Sequence, residues 1–404
     1  MNRLNGTFPL RFPEFNTVWK KYRLGQLVDI RSAARVHKDE WQESGVPFFR
    51  TSDVVSAFNG SVNKKAYISE NLYSKLIKKS GEVKRHDLLV TGGGSIGVPY
   101  LIKSNDPLYF KDADLLWIKS TEELYGPFLY QFLLSPIFRR YLLKITHTGT
   151  ISHYTIEQAK ATEIMLPKST EQKKIADFLS AVDAKIRLLK EKHALLQQYK
   201  KGVMQKLFSQ EIRFKDDNNQ VFPDWKFRQG NELFSSVSDK KHNSDLPILA
   251  ITQEHGAIPR DLINYQVQAT DSSVASYKVV NKGDFIISLR SFQGGIEYSQ
   301  YKGICSPAYI ILRPCSELVD DFYRYYLKTG NFIQEMKRRL EGIRDGKILS
   351  YKYFSEIKLP YPCVAEQQKI AEFLQALDEK LAAVQQQIDL TQTFKKGLLQ
   401  QMFV

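Results

Sequence analysis

Residues 92–97, GGGSIG, fit the GxGxxG spacing with which many proteins hold the pyrophosphate of a dinucleotide. They follow an apolar run, 87–91, that has the pattern of a strand. Dinucleotide binding also needs a helix directly after the glycines, because the helix N-terminus holds the phosphates. Residues 98–101, VPYL, have the pattern of another strand instead. We therefore expect a hairpin tip at which the backbone can approach a ligand closely.

Two other segments have the acidic residues of DNA-modifying enzymes, in incomplete form. Residues 106–109, DPLY, are similar to the Asp-Pro-Pro-Tyr loop of amino-methyltransferases, but Leu108 replaces the second proline and no glycine-rich βαβ array precedes them. Pro223-Asp224, with 239–241 (DKK) downstream, loosely fits a PD…DxK nuclease pattern. The equivalent position in the first half of the chain, Glu14, has no second part of that pattern. We interpret both segments as structural turns.

The sequence contains neither the GxxxxGK[ST] pattern of phosphate-binding loops nor the HExxH pattern of zinc proteases. His147 and His153 lie close together in a Gly/Thr-rich loop, which is weak evidence for a metal ligand pair. The three cysteines, Cys305, Cys315 and Cys363, form no CxxC and predict neither a disulfide framework nor a zinc site. We expect a cytoplasmic, non-catalytic chain with no metal, no cofactor of its own and no membrane span.

Charge is distributed unevenly along the chain. The formal net charge is +14; residues 1–208 carry 33 Lys+Arg against 20 Asp+Glu, and residues 209–404 carry 25 against 24. A basic balance favours a polyanion partner, most often nucleic acid, although it also serves solubility.

DNA sequence is read at base edges by Arg, Lys, Asn and Gln, while other cations hold phosphates. Residues of these types, with small polar residues, occur in the predicted loops, and a basic cluster lies on a predicted helix. The alternative for each of them is a solvated surface group. The candidates for DNA contact are Arg50, Thr91, Ser95, His147, His153, Gln253, Arg290, Gln293, Lys337, Arg338, Arg339, Arg344 and Lys347.

The elements that must position these residues are revealed by an internal repeat. Residues 171–208 match residues 366–403 at a constant offset of 195, with 17 of 38 positions identical. Both segments have apolar residues at alternating steps of four and three, which predicts long helices that pair as a coiled coil. Lys200 and Lys395 interrupt the two seams at the same register. The predicted helix-pairing residues are Ile175, Leu179, Val182, Ile186, Leu189, Ile370, Leu374, Leu377, Leu381 and Val384.

Each predicted helix would span roughly 57 Å at its full length. Ser169 with Gln172 has the pattern of a capping box at the start of the first one. Because helices of this kind are usually scaffolds or contact surfaces, we interpret them as spacers and docking surfaces.

The segments before the two helices also match each other. Both open with Phe-Pro, then Trp19 or Trp225, then a leucine eight residues later. Residues 128–133 match 322–327, and short apolar runs in both indicate buried strands. Helices are predicted over 125–144 and 319–341. The fold class is therefore α+β, with a twisted, partly barrel-like sheet in each of two similar domains.

The whole chain resembles the specificity (S) subunit of type I restriction–modification enzymes, in which two variable globular units are each followed by a repeated helix. The resemblance is specific because several motifs occur twice. They are Leu166-Pro167 before EQKKIA (171–176), Leu359-Pro360 before EQQKIA (366–371), Lys200-Lys201-Gly202 before Phe208, Lys395-Lys396-Gly397 before Phe403, and the two Phe-Pro…Trp…Leu openings.

The resemblance implies two target recognition domains, 1–167 and 211–362, each followed by a repeated helix, 168–210 and 363–404. The helices would pair antiparallel with pseudo-two-fold symmetry. The domains would read a bipartite, asymmetric site on double-stranded DNA. Partners would be two methyltransferase (M) subunits, with S-adenosylmethionine, and restriction/translocase (R) subunits, with ATP and Mg²⁺. The alternatives are a self-contained DNA nuclease or methyltransferase, and a coiled-coil adaptor that does not bind DNA.

Overall fold

The computed structural model describes residues 10–110, 115–146, 153–243, 245–263, 274–340 and 350–403. The chain divides into two compact units, one formed by 1–190 with 385–404 and the other by 191–384. Each unit thus contains one globular half and a part of both long helices. The sequence boundaries placed the helices apart from the globular segments, but in space each helix is shared between the two units.

In the described part of the first unit, short strands and six short α-helices precede the first long helix. Its apolar runs form strands as expected, because they are fully buried on both faces. The strands are β1 Lys20–Arg23, β2 Ile30–Arg31, β3 Val46–Phe49, β4 Ala66–Ile68, β5 Leu88–Thr91, β6 Pro99–Leu101, β7 Tyr109–Phe110, β8 Leu115–Ile118 and β9 Glu163–Leu166. The helices are α1 Leu24–Leu27, α2 Thr51–Asn59, α3 Glu70–Ser80, α4 Gly126–Leu134, α5 Pro136–Thr146, α6 Ile156–Ala161 and the long α7 Ser169–Phe208.

The second unit repeats this plan with different connections. Its strands are β10 Lys226–Gln229, β11 Phe234–Val237, β12 Leu249–Thr252, β13 Gly256–Pro259, β14 Lys278–Val280, β15 Phe285–Ile287, β16 Glu297–Tyr298, β17 Gly303–Cys305, β18 Ile310–Pro314 and β19 Lys358–Tyr361. Its helices are α8 Gly230–Leu233, α9 Ser291–Gly294, α10 Asp320–Tyr326, α11 Gly330–Leu340, α12 Tyr351–Ser355 and the long α13 Val364–Met402. Each predicted globular-half helix is thus divided in two, α4 with α5 and α10 with α11.

Two sheets recur in both units, while the others differ. An antiparallel pair, β1-β9 or β10-β19, joins the start of each globular half to its end. The recurring four-stranded antiparallel sheet has the order β2-β8-β5-β6 or β11-β18-β15-β16. The first unit adds the sheet β4-β3-β7, whereas the second adds the pairs β12-β13 and β14-β17. The repeated frame is therefore retained and its insertions are not.

The recurring four-stranded sheet is open in both units, with β2 and β6, or β11 and β16, at its edges. In the first unit, α2 and α4 contact the edge strand β6. The expectation of a partly barrel-like curvature stays a prediction.

The long helices contact each other inside each unit, and the contacts show that they run antiparallel. In the first unit, Ile175 and Leu179 near the start of α7 share a core with Leu398 and Met402 near the end of α13. In the second unit, Leu207 at the end of α7 shares a core with residues near the start of α13. The predicted seam residues Ile175, Leu179, Val182, Ile370, Leu374, Leu377 and Val384 are buried, and Ile186, Leu189 and Leu381 are half-buried.

A glutamate and a glutamine near the start of each long helix fasten it to its globular half. Glu171 is fully buried and accepts hydrogen bonds from Arg11 Nε (2.6 Å), Arg11 Nη2 (2.7 Å) and Trp19 Nε1 (3.1 Å). In the second unit, Glu366 accepts the same bonds from Arg213 and Trp225. Each glutamate thereby ties its helix to the opening segment of its own half.

The adjacent glutamine side chains hydrogen-bond to the backbone of the globular half. The expected capping box of Ser169 with Gln172 is therefore wrong. Helix α7 begins at Ser169, so that this serine lies inside the helix. The Gln172 side chain accepts from Tyr125 N (2.9 Å) and donates to Glu123 O (2.7 Å) and Pro167 O (3.0 Å). Its counterpart Gln367 accepts from Val319 N, also at 2.9 Å. The Gln172 side chain therefore hydrogen-bonds to backbone groups of the globular half and not to the Ser169 backbone, as a capping box would require.

Candidate nucleic-acid interface

The second unit brings three of the predicted DNA-contacting residues together at one loop cluster. Gln253, at the turn between β12 and β13, donates from Nε2 to the carbonyl oxygen of Arg290 (3.3 Å). Arg290 precedes α9 and Gln293 lies within it, and the Gln293 backbone N–H donates to Arg290 O (2.9 Å). All three residues are exposed. The cluster thus presents one arginine and two amide side chains, the residue types that read guanine and adenine edges.

The Glu297–Lys328 ion pair lies next to this loop cluster and is hydrogen-bonded to it. Glu297 on β16 is buried and pairs with Lys328, whose Nζ also donates to the carbonyl oxygen of Gln253 (3.4 Å). Burial raises the pKa of Glu297 and lowers the pKa of Lys328. Gly295 has a φ of +86°, and a Cβ there would collide with the Leu327 carbonyl oxygen, so that the turn after α9 requires glycine. These contacts fix the backbone of the loop cluster, while the side chains of Arg290 and Gln293 are exposed.

The basic cluster predicted on a helix lies on α11, which packs against α9. Phe332 and Met336 bury one face of this helix in the unit's core, and Lys337 and Arg338 are exposed. Arg338 contacts Glu335 only loosely, at 3.7 Å, with 76% of its side chain exposed. Exposed cations of this kind are the residue types that bind phosphates. Arg339 lies in the helix, but its side chain, and all of Arg344 and Lys347, lie outside the described residues.

The first unit has an equivalent turn between β5 and β6. Ser95 lies at its tip and is exposed, and Tyr154 N donates to Gly92 O (2.7 Å), which places the neighbouring, exposed His153 beside the same turn. The turn closes at Gly97, whose φ is +70° and where a Cβ would collide with Leu142. The expected hairpin tip is confirmed, and no helix follows the glycines. His147 lies outside the described residues.

Helix α5 contacts this turn through Arg139, which donates from Nη1 to Ile96 O (3.3 Å). The same helix carries two exposed cations that the sequence analysis missed, Arg140 and Lys144. Burial lowers the pKa of Arg139. The offset of 194 that relates 128–133 to 322–327 also relates Lys144 to Arg338. Extending the internal alignment into α5 would therefore have identified Lys144 as a candidate.

Two predicted DNA-contacting residues have internal roles instead. Thr91 is fully buried, and its hydroxyl donates to Ser95 O and accepts from Val98 N (2.9 Å), which shapes the turn from inside. Arg50 pairs with Asp53 (2.8 Å), donates to Lys64 O (2.6 Å) and lies over the Trp41 ring. Neither side chain can reach a base edge while these contacts hold.

The segments that resembled parts of catalytic sites are turns or buried structure. Asp106 accepts from Ser104 Oγ (2.7 Å), and the buried Tyr109 hydroxyl donates to Ala34 O (3.0 Å). Asp224 is exposed, and its nearest charged partner is Arg213 at 3.6 Å. Among the described residues, no three His, Cys, Asp or Glu side chains lie close enough together to hold a metal ion. No described helix is both long and apolar enough to cross a membrane.

Both halves are thus α+β units of one plan, each with an exposed polar turn and a helix that carries exposed cations, which suits contact with a polyanion. The family model for the type I restriction modification DNA specificity domain matches this chain twice, at residues 16–198 and 224–392. The chain belongs to this family of type I restriction–modification specificity subunits.

Individual relatives match over nearly the full length. The type I restriction enzyme MjaVIII specificity subunit of Methanocaldococcus jannaschii is 23% identical over 423 residues, covering 96% of this chain and 92% of the relative. The crystal structure of the type I restriction–modification S subunit from M. genitalium has a TM-score of 0.57 at 20% identity, covering 98% of this chain and 99% of that one. A chain from a study of complex assembly and conformational transition in a type I system has a TM-score of 0.55 at 17% identity, covering 95% and 97%. These likenesses show that the fold is shared.

Proposed function

We propose that this chain reads a bipartite DNA site, one half-site per unit, and positions the catalytic subunits of a type I restriction–modification complex. The observation that carries the proposal is the repeated pairing of an exposed turn with a basic helix. Ser95 with α5 and Arg290 with α11 occupy equivalent places in the two units. Their different side chains would give each half-site a different sequence, and the site would be asymmetric.

In this proposal, one set of side chains contacts base edges and another set contacts phosphates. Arg290, Gln253 and Gln293 would contact base edges, where each bidentate pair contributes about 1–3 kcal/mol of discrimination. Lys337, Arg338, Arg140 and Lys144 would hold phosphates, so that affinity falls as salt concentration rises. Two modest readers joined by the long helices would bind strongly only when both half-sites stand at the correct separation.

Catalysis would be supplied by partners: two methyltransferase (M) subunits with S-adenosylmethionine, and restriction/translocase (R) subunits with ATP and Mg²⁺. A docking role for the long helices is supported by apolar residues that face away from the seam. Leu195 and Tyr199 are 65% and 53% exposed, and their repeat counterparts Leu390 and Phe394 are 62% and 55% exposed. Exposed apolar residues at matched places on both helices are typical of a protein–protein contact. The matched pairs favour one M subunit on each.

The test uses the chain assembled with its partners and a nuclease footprint on the DNA motif methylated in host cells. Wild type should protect two patches with an unprotected gap between them. Arg290→Ala should relax base preference within one half-site only, by about 5- to 150-fold, as expected for 1–3 kcal/mol. Arg140→Ala with Lys144→Ala should weaken binding evenly across sequences and reduce its salt dependence. Lys201→Ala, on the exposed side of α7, is the matched control and should change neither.

Four outcomes would contradict the proposal. One is a single continuous footprint, and another is an Arg290→Ala variant that alters both half-sites equally. The third is DNA methylation or cleavage by the chain without any partner, which would favour a self-contained enzyme. Absence of any footprint from the assembled complex would favour an adaptor that does not bind DNA.

A further inference from the structure

Lys395 does not leave a gap in the seam of the first unit but pairs with a carboxylate. Its Nζ donates to Asp183 Oδ1 on α7 (2.6 Å), with only 13% of the lysine side chain exposed. The other carboxylate oxygen of Asp183 accepts from Gln131 Nε2 on α4 (3.0 Å), and Gln131 is buried. The Asp183 carboxylate on α7 therefore contacts both the other long helix, through Lys395, and the globular half, through Gln131.

The second unit contains the same arrangement with the helices exchanged. Lys200 on α7 pairs with Asp378 Oδ1 on α13, and 18% of its side chain is exposed. The other oxygen of Asp378 accepts from the Tyr325 hydroxyl on α10 (2.7 Å), and Lys200 lies 4.8 Å above the ring of that tyrosine. Tyr325 occupies the place of Gln131 at an offset of 194. A tyrosine and a glutamine thus make the same contact to the aspartate.

An apolar seam alone defines register weakly, because one leucine can replace another when a helix slides by a turn. A slide of one turn moves the helices by about 5.4 Å, which is enough to separate each lysine from its aspartate. It would also leave a half-buried charge unpaired, which is strongly unfavourable. A single polar residue in a coiled-coil seam is known to select register for this reason.

We propose that the Asp183–Lys395 and Asp378–Lys200 pairs select the register of the two long helices, and that this register sets the gap between the half-sites. The second clause rests on the proposed DNA-reading function, whereas the first concerns the chain alone. Gln131 and Tyr325 orient the aspartates and connect the register to each globular half. These four charged residues are positioning residues and do not contact DNA.

The register is tested without DNA by measuring a distance between spin labels. Cysteines at Ala184 and Gln392, both exposed in the first unit, carry the labels in a chain whose Cys315 and Cys363 are serine. Wild type should give one distance. Asp183→Lys should give a second distance that differs by about one helical turn, roughly 5 Å. The exchange Asp183→Lys with Lys395→Asp should restore the single distance, and Asp389→Lys, an exposed charge change on α13, should leave it unaltered.

The gap is then tested on the assembled complex with DNA duplexes whose half-sites stand one base pair closer, at the native spacing, or one base pair further apart. Asp183→Lys should reduce the preference for the native gap by about tenfold, an effect between those of losing an exposed and a buried ion pair, because the Asp183 side chain is 38% exposed. Affinity for a single half-site should stay at the wild-type value. If Asp183→Lys does not fold, Asp183→Asn should show the same two changes to a smaller degree.

The outcomes separate the two proposals. A folded Asp183→Lys or Asp183→Asn chain that keeps one unaltered distance overturns the register proposal. A second distance combined with an unchanged gap preference overturns the link from register to DNA. Failure of wild type to bind either half-site contradicts the DNA-reading function and leaves the distance result standing. A merely structural role would lower the melting temperature without a second distance.

Discussion

The buried carboxylate of Glu171 gives a sharp prediction about stability. It accepts two hydrogen bonds from Arg11 and one from Trp19, and its side chain is 0% exposed. In Arg11→Met, the Glu171 carboxylate stays buried and keeps only the hydrogen bond from the Trp19 indole. This loss should lower the stability of the first unit by about 3–5 kcal/mol. Glu171→Gln leaves the guanidinium, 17% exposed, partly able to reach water, and should cost only about 1–3 kcal/mol.

Hydrogen–deuterium exchange resolved by peptide is the suitable assay, because a chain of two units does not unfold in one step. Arg11→Met should accelerate exchange in residues of the first unit by roughly two to nearly four powers of ten, the rate equivalent of 3–5 kcal/mol. Arg213→Met is the matched variant, since Glu366 and Trp225 repeat the contact in the second unit. It should accelerate exchange in residues 191–384.

The double variant Arg11→Met with Glu171→Gln should recover part of the loss, because the unpaired charge has been removed. A Glu171→Gln chain destabilised as strongly as Arg11→Met would refute the reasoning, since the cost would then come from lost packing and not from an unpaired carboxylate. An unchanged exchange rate in Arg11→Met would show that the carboxylate finds another partner.

Two further predictions concern titrating groups. Burial raises the pKa of the Cys305 thiol to about 12, whereas Cys315 is exposed. At pH 8 a thiol reagent followed by mass spectrometry should therefore label Cys315 within minutes and Cys305 only after unfolding; equal labelling in the folded protein contradicts this. Burial, with the charge of Arg85, lowers the pKa of His86, so that its contribution to stability is present above about pH 6.5 and is lost as pH falls through the folded-state pKa. His86→Asn, which suits the φ of +75° there, should flatten the fall in unfolding free energy between pH 7 and pH 5; the same slope in both proteins would show that another group is responsible.

The sequence predicted the elements well wherever burial and periodicity agree. The apolar runs Leu88–Thr91 and Leu115–Ile118 are strands in which every residue is buried. The bounds of α7 and α13 agree with the predicted heptad segments to within a few residues. Two of the candidates for DNA contact have partners inside the first unit instead. Thr91 is hydrogen-bonded to Ser95 and Val98, and Arg50 is bound to Asp53 and Lys64. The residue type alone does not show whether a polar side chain is already hydrogen-bonded.

The same limit explains why Arg11 and Arg213 were missed. Each pairs with a glutamate more than 150 residues away, so that neither its spacing nor its immediate neighbours indicate the contact. Lys200 and Lys395 were noticed only as interruptions of the seam. Their aspartate partners stand at a matched offset of 195, but antiparallel packing is needed before each lysine meets the aspartate of the other helix.

The exposed turns of the two halves carry different side chains, whereas buried residues such as Glu171 and Glu366 are repeated. The turns that carry Ser95 and Arg290 are held by backbone contacts, such as Gly97 N to Thr91 O in one unit and Gln293 N to Arg290 O in the other. Under the proposed function, replacing the Ser95 or Arg290 side chain would change base preference with little change in folding energy. The gap between half-sites would vary less freely, because it would depend on partly buried ion pairs whose partners lie on different helices.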